Sequence, residues 1–137
     1  MARYPEDTGP AKKGSLMFAD FMLEDQWFAA MDSGVAQSYS FSEAISLLIN
    51  CDTQEEIDYY WERLGAGGDP AAQVCGWLKD KFGVSWQVVP VDVYKLYEDA
   101  ESPGARAAME AMMKMKKIDM VALQEAYDGA EEHAGAR

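Results

Sequence analysis

The stretch that decides the fold is CGWLKDKFGVSWQVVP, residues 75–90. Two short runs rich in residues that favour β-strands flank a charged bend that contains Gly83. This pattern predicts an antiparallel hairpin. Successive side chains of a strand point to opposite faces of a sheet. In the second strand, one face therefore carries Ser85, Gln87 and Val89, and the other carries Trp86 and Val88.

The segment before the hairpin, CDTQEEIDYYWERLGAGG at residues 51–68, predicts a helix. Thr53 and Glu56 have the spacing of a capping box, and the same pairing is available one residue earlier. Apolar residues recur at helical spacing and form one face; they are Ile57, Tyr60, Trp61 and Leu64. Gly65 is expected to supply the left-handed C-cap.

A third strand, AISLLIN at residues 44–50, precedes this helix, so residues 44–90 are predicted to run strand, helix, strand, strand. This order indicates an α+β fold in which the helix covers one face of the sheet. The side chains expected beneath the helix are Ile45, Leu47, Ile49, Trp86 and Val88.

The opposite face of the same sheet carries the candidate ligand-binding residues. An apolar wall with a few amides and hydroxyls is typical of a pocket for a small neutral or apolar ligand. The candidates are Ser46, Leu48, Asn50, Ser85 and Gln87, together with Cys75 and with Trp77, which could lie on either face of the sheet. An alternative interpretation remains open, in which Gln87 and Asn50 only satisfy each other or backbone groups.

The remaining segments are assigned by composition and spacing. Residues 1–14 are polar and rich in Pro and Gly, and predict a flexible N-terminal segment. Residues 15–32 predict an antiparallel hairpin, and residues 91–128 predict C-terminal helices, one of them capped by Ser102. The Gly, Ala and Glu-rich stretch 129–137 predicts a disordered tail. We expect a single domain over 15–128.

The charge of the chain excludes several classes of partner. Its 24 acidic residues outnumber the 12 basic ones, for a net charge of -12. Nucleic acids and anionic membranes need a basic footprint that no segment offers, and no apolar run is long enough to span a membrane. We expect a cytoplasmic protein whose two cysteines, Cys51 and Cys75, are reduced and inert.

The same composition limits catalysis, and we expect no catalytic residue. His133 is the only histidine, and it lies in the predicted tail, so the folded region has neither a Ser-His or Cys-His pair nor a histidine-based zinc site. Residues 65–68, GAGG, follow a helix. A methyl donor bound in the usual way needs a Gly-rich loop after a strand. We expect no cofactor.

Three segments together resemble a known family: FSEAISLLINCDTQEEIDYYWERLGAGG (41–68), the hairpin stretch 75–90, and AMEAMMKMKKIDMVALQEAY (108–127). They are similar to the PhnB-like branch of the glyoxalase/bleomycin-resistance, or vicinal oxygen chelate, superfamily, a branch often labelled a demethylubiquinone methyltransferase domain. The resemblance spans roughly residues 14–128.

The resemblance implies paired βαβββ modules whose curved sheets form a cup for a small ligand, usually in a homodimer. Residues 15–43 would be a partial first module, and residues 44–90 most of the second. The first strand and helix of the first module are expected to be missing. A homodimer that covers the resulting open edge is expected.

Metal-dependent members of the superfamily carry ligands, usually His, Gln or Glu, on four strands. The matching positions here are Ser46 and Gln87, and no carboxylate lies between Gln26 and Met31. Divalent ions prefer carboxylates or imidazoles, so a metal-free small-molecule-binding protein is predicted. One alternative is a metal-dependent lyase, isomerase or dioxygenase whose site another chain or segment completes. Another is partner binding through the Met-rich C-terminal helices.

Overall fold

The computed structural model of the protein describes residues 1–136 and confirms the predicted α+β class. Contacts group the chain into two units, one of residues 1–40 and one that begins at Phe41. Each unit contains one three-stranded sheet. The organisation into a single domain over 15–128 stays a prediction.

The first unit is an antiparallel sheet of β1 (Ala2–Arg3), β2 (Leu16–Leu23) and β3 (Gln26–Met31), in that order. The β2–β3 pairing confirms the predicted hairpin. Residues 1–14, predicted to be a flexible segment, instead form a strand and a hydrogen-bonded turn. The Tyr4 hydroxyl contributes to this order, because it donates to the Asp32 carbonyl over 2.7 Å.

Both faces of this first sheet are largely apolar, with Asp20 on one face and Gln26 on the other. Cross-strand register places Phe18, Met22, Trp27 and Met31 on one face, and Met17, Phe21, Leu23 and Phe28 on the other. The rings of Phe21 and Phe28 stack with their centroids 5.6 Å apart. Trp27 and Met31 are 63% and 75% exposed, although burial of such side chains is favourable.

The second unit begins with β4 (Ser46–Cys51), α1 (Gln54–Gly65) and a short 3-10 turn (Pro70–Ala72). It continues with β5 (Trp77–Lys79) and β6 (Ser85–Pro90), so the predicted strand-helix-strand-strand order is confirmed. The sheet order is β4-β6-β5, in which β4 is parallel and β5 antiparallel to β6.

Helix α1 covers one face of this sheet. Ile57 on the helix is fully buried, and it belongs to the same core as Leu78 and Val88 of the strands. Ile49 and Trp86 pack against this core, as predicted. The prediction for Ile45 is wrong, because β4 begins one residue later and leaves that side chain 78% exposed.

The ends of α1 follow the sequence signals in part. Thr53 accepts a hydrogen bond from the Glu56 N–H, as an N-cap should. The Glu56 carboxylate accepts from the Asp52 N–H instead of closing the box on Thr53. The prediction for Gly65 is wrong, since it is the last helical residue and Gly67 takes the positive φ of 75°.

The turn between β5 and β6 is organised by one carboxylate. Asp80 Oδ1 accepts from the backbone N–H groups of Phe82 and Val84, and Oδ2 accepts from the Trp86 indole N–H over 3.0 Å. Gly83 has φ of 87°, which a side chain would strain. The charged bend in the sequence therefore becomes a tightly bonded hairpin turn.

The C-terminal helices are α2 (Val93–Glu98), α3 (Pro103–Met112) and α4 (Met120–Gly135). Ser102 caps α3 as predicted. Residues 129–135, predicted to be disordered, form the last turns of α4, where the Glu131 carboxylate accepts from the Gly104 N–H over 2.7 Å. The end of the predicted tail, Arg137, lies outside the described residues. In residues 1–136, no helix combines the length and apolarity needed to cross a bilayer.

Candidate functional site

A row of three side chains crosses the face of the second sheet that lies away from α1. In the strand register, Leu48 of β4 and Trp77 of β5 both stand opposite Gln87 of β6. Residues directly opposite each other share a face. The row therefore joins an aliphatic, an amide and an aromatic side chain on one surface.

This row lines a cavity of about 240 Å³, the sheet cavity. The opposite wall comes from α2 and the end of α3. The full lining is Leu48, Cys75, Trp77, Gln87, Val89, Val93, Tyr94, Tyr97 and Met112. Every lining side chain is apolar, aromatic or uncharged under neutral conditions, so the cavity suits a small neutral ligand.

Two hydrogen bonds orient the polar groups of the sheet cavity. Gln87 Nε2 donates to Ser46 Oγ over 2.7 Å, and the Tyr94 hydroxyl donates to Asn50 Oδ1 over 3.1 Å. The Gln87 amide keeps its carbonyl oxygen and a second N–H for another partner. Gln87 and Asn50 therefore bond to separate partners in this structure, not to each other.

The structure brings most of the predicted site residues together. Leu48, Cys75, Trp77 and Gln87 line the sheet cavity. Ser46 and Asn50 lie beside the cavity and accept hydrogen bonds from its lining residues Gln87 and Tyr94. Ser85 shares the same sheet face but is 2% exposed and pairs with Ser46 and Lys79, at the end of β6 away from α2. It is not a lining residue, because α2 covers only the other end of the strand.

The sequence candidates did not include the wall that α2 contributes. Val93, Tyr94 and Tyr97 of this helix face the sheet cavity, together with Met112 of α3. The spacing of Val93, Tyr94 and Tyr97 after Pro90 is that of a short amphipathic helix. This spacing was the sequence signal that could have identified them. Which face of the sheet the helix covers depends on tertiary packing, which the spacing alone does not specify.

The two cysteines are protonated thiols at neutral pH. Burial, with smaller contributions from the carboxylates of Glu56 and Asp52, raises the pKa of Cys51 from 9.0 to about 11. Burial also raises the pKa of Cys75, whose thiol lies 3.7 Å from the Met113 sulfur. Neither environment favours the thiolate that nucleophilic or metal-binding chemistry requires.

The side chains at this site do not fit a divalent metal. Nowhere in residues 1–136 do three His, Cys, Asp or Glu side chains come together as a possible metal-binding group. At the sheet cavity, the Ser46 hydroxyl is bonded to the Gln87 amide, and a hydroxyl and an amide are a weak donor set for such ions.

The glycine-rich loop does not fit a methyl donor. Gly65 ends helix α1, and Gly67 and Gly68 lie in the connection to the short 3-10 turn. A nucleotide-type cofactor is bound where such a loop leads from a parallel strand into a helix, because the helix N-terminus faces the ligand. Here the order is reversed, so the loop serves as a turn.

Known proteins resemble the chain in sequence and in structure. The sequence model of the 3-demethylubiquinone-9 3-methyltransferase family matches residues 1–89. The solved structure of the PhnB protein from Bacillus cereus is similar with 39% sequence identity and a TM-score of 0.56, over 66% of this chain and 75% of that chain. No curated protein matches the chain.

Proposed function

The chain belongs to the 3-demethylubiquinone-9 3-methyltransferase family, with the glyoxalase-like α+β fold of its PhnB-like relatives, and on this premise we propose that it is a metal-free small-molecule-binding protein. Its binding site is the sheet cavity. The observation that carries this proposal is the row of Leu48, Gln87 and Trp77, which places one hydrogen-bonding amide in a largely apolar cavity.

The size and lining of the sheet cavity favour a small, neutral, partly aromatic ligand. Its volume of about 240 Å³ is below that of most drug-sized pockets. Trp77, Tyr94 and Tyr97 offer rings for stacking, and Gln87 offers the polar contact. A charged ligand would lose its hydration without gaining an ion pair.

The side chains available as metal ligands at this site support ligand binding without a metal. A metal-dependent lyase, isomerase or dioxygenase would need ligands from another chain or segment, because Ser46 and Gln87 are neutral and poorly suited donors. The methyl transfer in the family's name is not carried over either, since the Gly65–Gly68 connection follows a helix.

We also propose that the protein forms a homodimer in the cytoplasm. Supporting observations are the exposed apolar side chains on both faces of the first sheet, Trp27 and Met31 among them. Exposed apolar surface of this kind marks interaction sites. The acidic composition and the absence of a basic footprint argue against nucleic acid and anionic membranes as partners.

Titration with benzamide, toluene and benzoate, followed by NMR, tests the proposed site. We expect benzamide to shift the Trp77 indole N–H resonance saturably, and benzoate to leave it unchanged. In Gln87→Leu, the affinity for benzamide should fall about fivefold, the value of one hydrogen bond, while the affinity for toluene stays the same.

The matched control is Gln37→Leu, which removes an exposed amide in the first unit. It should bind benzamide as the wild type does. A folded wild-type protein whose Trp77 resonance responds to neither benzamide nor toluene would refute the proposal. A saturable response of the same resonance to Zn²⁺ would favour the metal-dependent alternative.

A further inference from the structure

A second and larger cavity, of about 490 Å³, lies among α2, α3 and α4. We call it the helix cavity. Its floor is apolar and includes Leu96, Ala108 and Leu123, which are all buried. Met120 and Tyr127 of α4 complete the floor with a thioether and an aromatic ring.

Helix α2 separates the helix cavity from the sheet cavity. Tyr94 and Tyr97 line the sheet cavity, whereas Lys95 and Glu98 line the helix cavity. Val93 contributes to both linings. The helix cavity is therefore a distinct site, and nothing in the proposed function uses it.

The rim of the helix cavity is acidic. Asp92, Lys95, Glu98 and Asp99 line it, which gives three carboxylates against one ammonium. Lys95 Nζ lies 2.7 Å from Asp92 Oδ1, and this bond raises the pKa of Lys95, with a smaller contribution from Glu98. The Lys95 charge is thus compensated by Asp92. Among residues 1–136, no ion pair or side-chain hydrogen bond engages the carboxylates of Glu98 and Asp99.

We propose that the helix cavity binds a small organic cation, an alkylammonium with an apolar body. The apolar floor would bury the hydrocarbon part, which is favourable in proportion to its area. Glu98 and Asp99 would attract the ammonium, and the Tyr127 ring offers a face for a cation. The cavity volume lies within the usual range for small-molecule sites.

The charges of the rim favour an organic cation over anionic and uncharged amphiphiles of the same chain length. An alkyl sulfate of equal chain length would fill the same floor but would meet the two carboxylates with like charge. An uncharged alcohol would gain only the apolar contact. Selectivity for the cation is therefore the distinguishing property of the site.

Octyltrimethylammonium is the probe for this proposal, with octanol and octyl sulfate as its neutral and anionic counterparts. The reporter is the Met120 methyl resonance in protein labelled at the methionine methyl groups. We expect octyltrimethylammonium to shift this resonance saturably and to bind more tightly than octanol. Octyl sulfate should bind most weakly. The difference between the three should shrink at high salt, because the rim is exposed.

The double variant Glu98→Gln/Asp99→Asn should lower the affinity for octyltrimethylammonium by about fivefold, as expected for two exposed charge pairs. Its affinity for octanol should not change. The matched control is Glu110→Gln/Glu125→Gln, which removes two exposed carboxylates that do not line the cavity.

Four outcomes would overturn the proposal. One is a Met120 resonance that does not respond to the cation. A second is equal affinity for octyl sulfate. A third is an unchanged affinity for the cation in the Glu98→Gln/Asp99→Asn variant. The fourth is a response confined to the methyl group of Met112, which lines the sheet cavity.

Discussion

One amide, that of Gln87, is the polar group at the centre of the sheet cavity. Its neighbours in the register, Leu48 and Trp77, are apolar. The amide is half-buried, and its hydrogen bond to Ser46 uses one of its two N–H groups. The remaining hydrogen-bonding capacity is what a neutral ligand with one polar group would use.

The ionisation of Cys51 makes the stability of the protein depend on pH in the alkaline range. Its pKa is raised from 9.0 to about 11 in the folded state. Above pH 9 the unfolded chain therefore binds fewer protons at this residue than the folded chain, and the free energy of unfolding falls as the pH rises towards 11. The stabilising contribution is fully present below pH 9.

This linkage predicts a difference between the wild type and Cys51→Ala. Urea unfolding measured from pH 8 to pH 11 should show a steeper loss of stability in the wild type, because Cys51→Ala has no thiol to ionise. Parallel curves for the two proteins would contradict the raised pKa. All other ionisable groups are the same in the two proteins, so the comparison isolates Cys51.

At the scale of the elements, the Gln54 side chain connects the start of α1 to the start of α4 by hydrogen bonds. Its Nε2 donates to the Ile118 carbonyl over 3.0 Å, and its Oε1 accepts from the Met120 N–H over 2.9 Å. One turn further along α1, Asp58 pairs with Lys117 over 2.5 Å. The Lys117 hydrogen bond, with a smaller contribution from that of Gln54, lowers the pKa of Asp58.

Replacement of this amide by an apolar side chain should therefore destabilise the second unit. In Gln54→Leu, the Ile118 carbonyl and the Met120 N–H lose their side-chain partner, and we expect a loss of about 2 kcal/mol in the free energy of unfolding. Urea denaturation provides the measurement.

The matched control for this prediction is Gln124→Leu. Within residues 1–136, the Gln124 amide bonds only to Asp128, one turn away in α4, so its loss should cost less than about 0.5 kcal/mol. A Gln54→Leu variant as stable as Gln124→Leu would show that the contact between α1 and α4 does not depend on this amide.

The elements that could be predicted from the sequence are those with local signals. The N-cap at Thr53 and the cap at Ser102 need only residues within one turn, and the alternation in β6 needs only neighbouring residues. The α2 wall of the sheet cavity could not be predicted, because it depends on contacts between distant segments. The end of α4 was missed for the same reason, since its bond runs from Glu131 to Gly104.

At the scale of the whole molecule, the first sheet is the surface that the proposed homodimer would cover. A double variant, Trp27→Glu/Met31→Glu, places two charges on one apolar face. Light scattering on a sizing column should then give a native mass of 15.2 kDa, against twice that value for the wild type. The physical reason is the cost of burying unpaired charges in an interface.

The control for the dimer prediction is Met113→Glu/Val121→Glu. These two side chains of the second unit are 65% and 64% exposed, similar to Trp27. The control therefore removes a similar exposed apolar surface from a different part of the protein. The control should keep the wild-type mass. A wild-type protein that elutes as a 15.2 kDa monomer would contradict the proposed homodimer.

The strand order β4-β6-β5 has a consequence for the time course of folding. Lys79 and Ser85 pair across the hairpin only six positions apart (85 − 79), whereas Ser46 and Ser85 pair across 39 positions (85 − 46). Closing the longer loop costs more chain entropy, and non-local pairing slows folding. We expect the hairpin to form first and β4 to join it in the rate-limiting step. In pulsed hydrogen exchange, the Asp80 amide, bonded to the Val84 carbonyl, should be protected before the amides of β4.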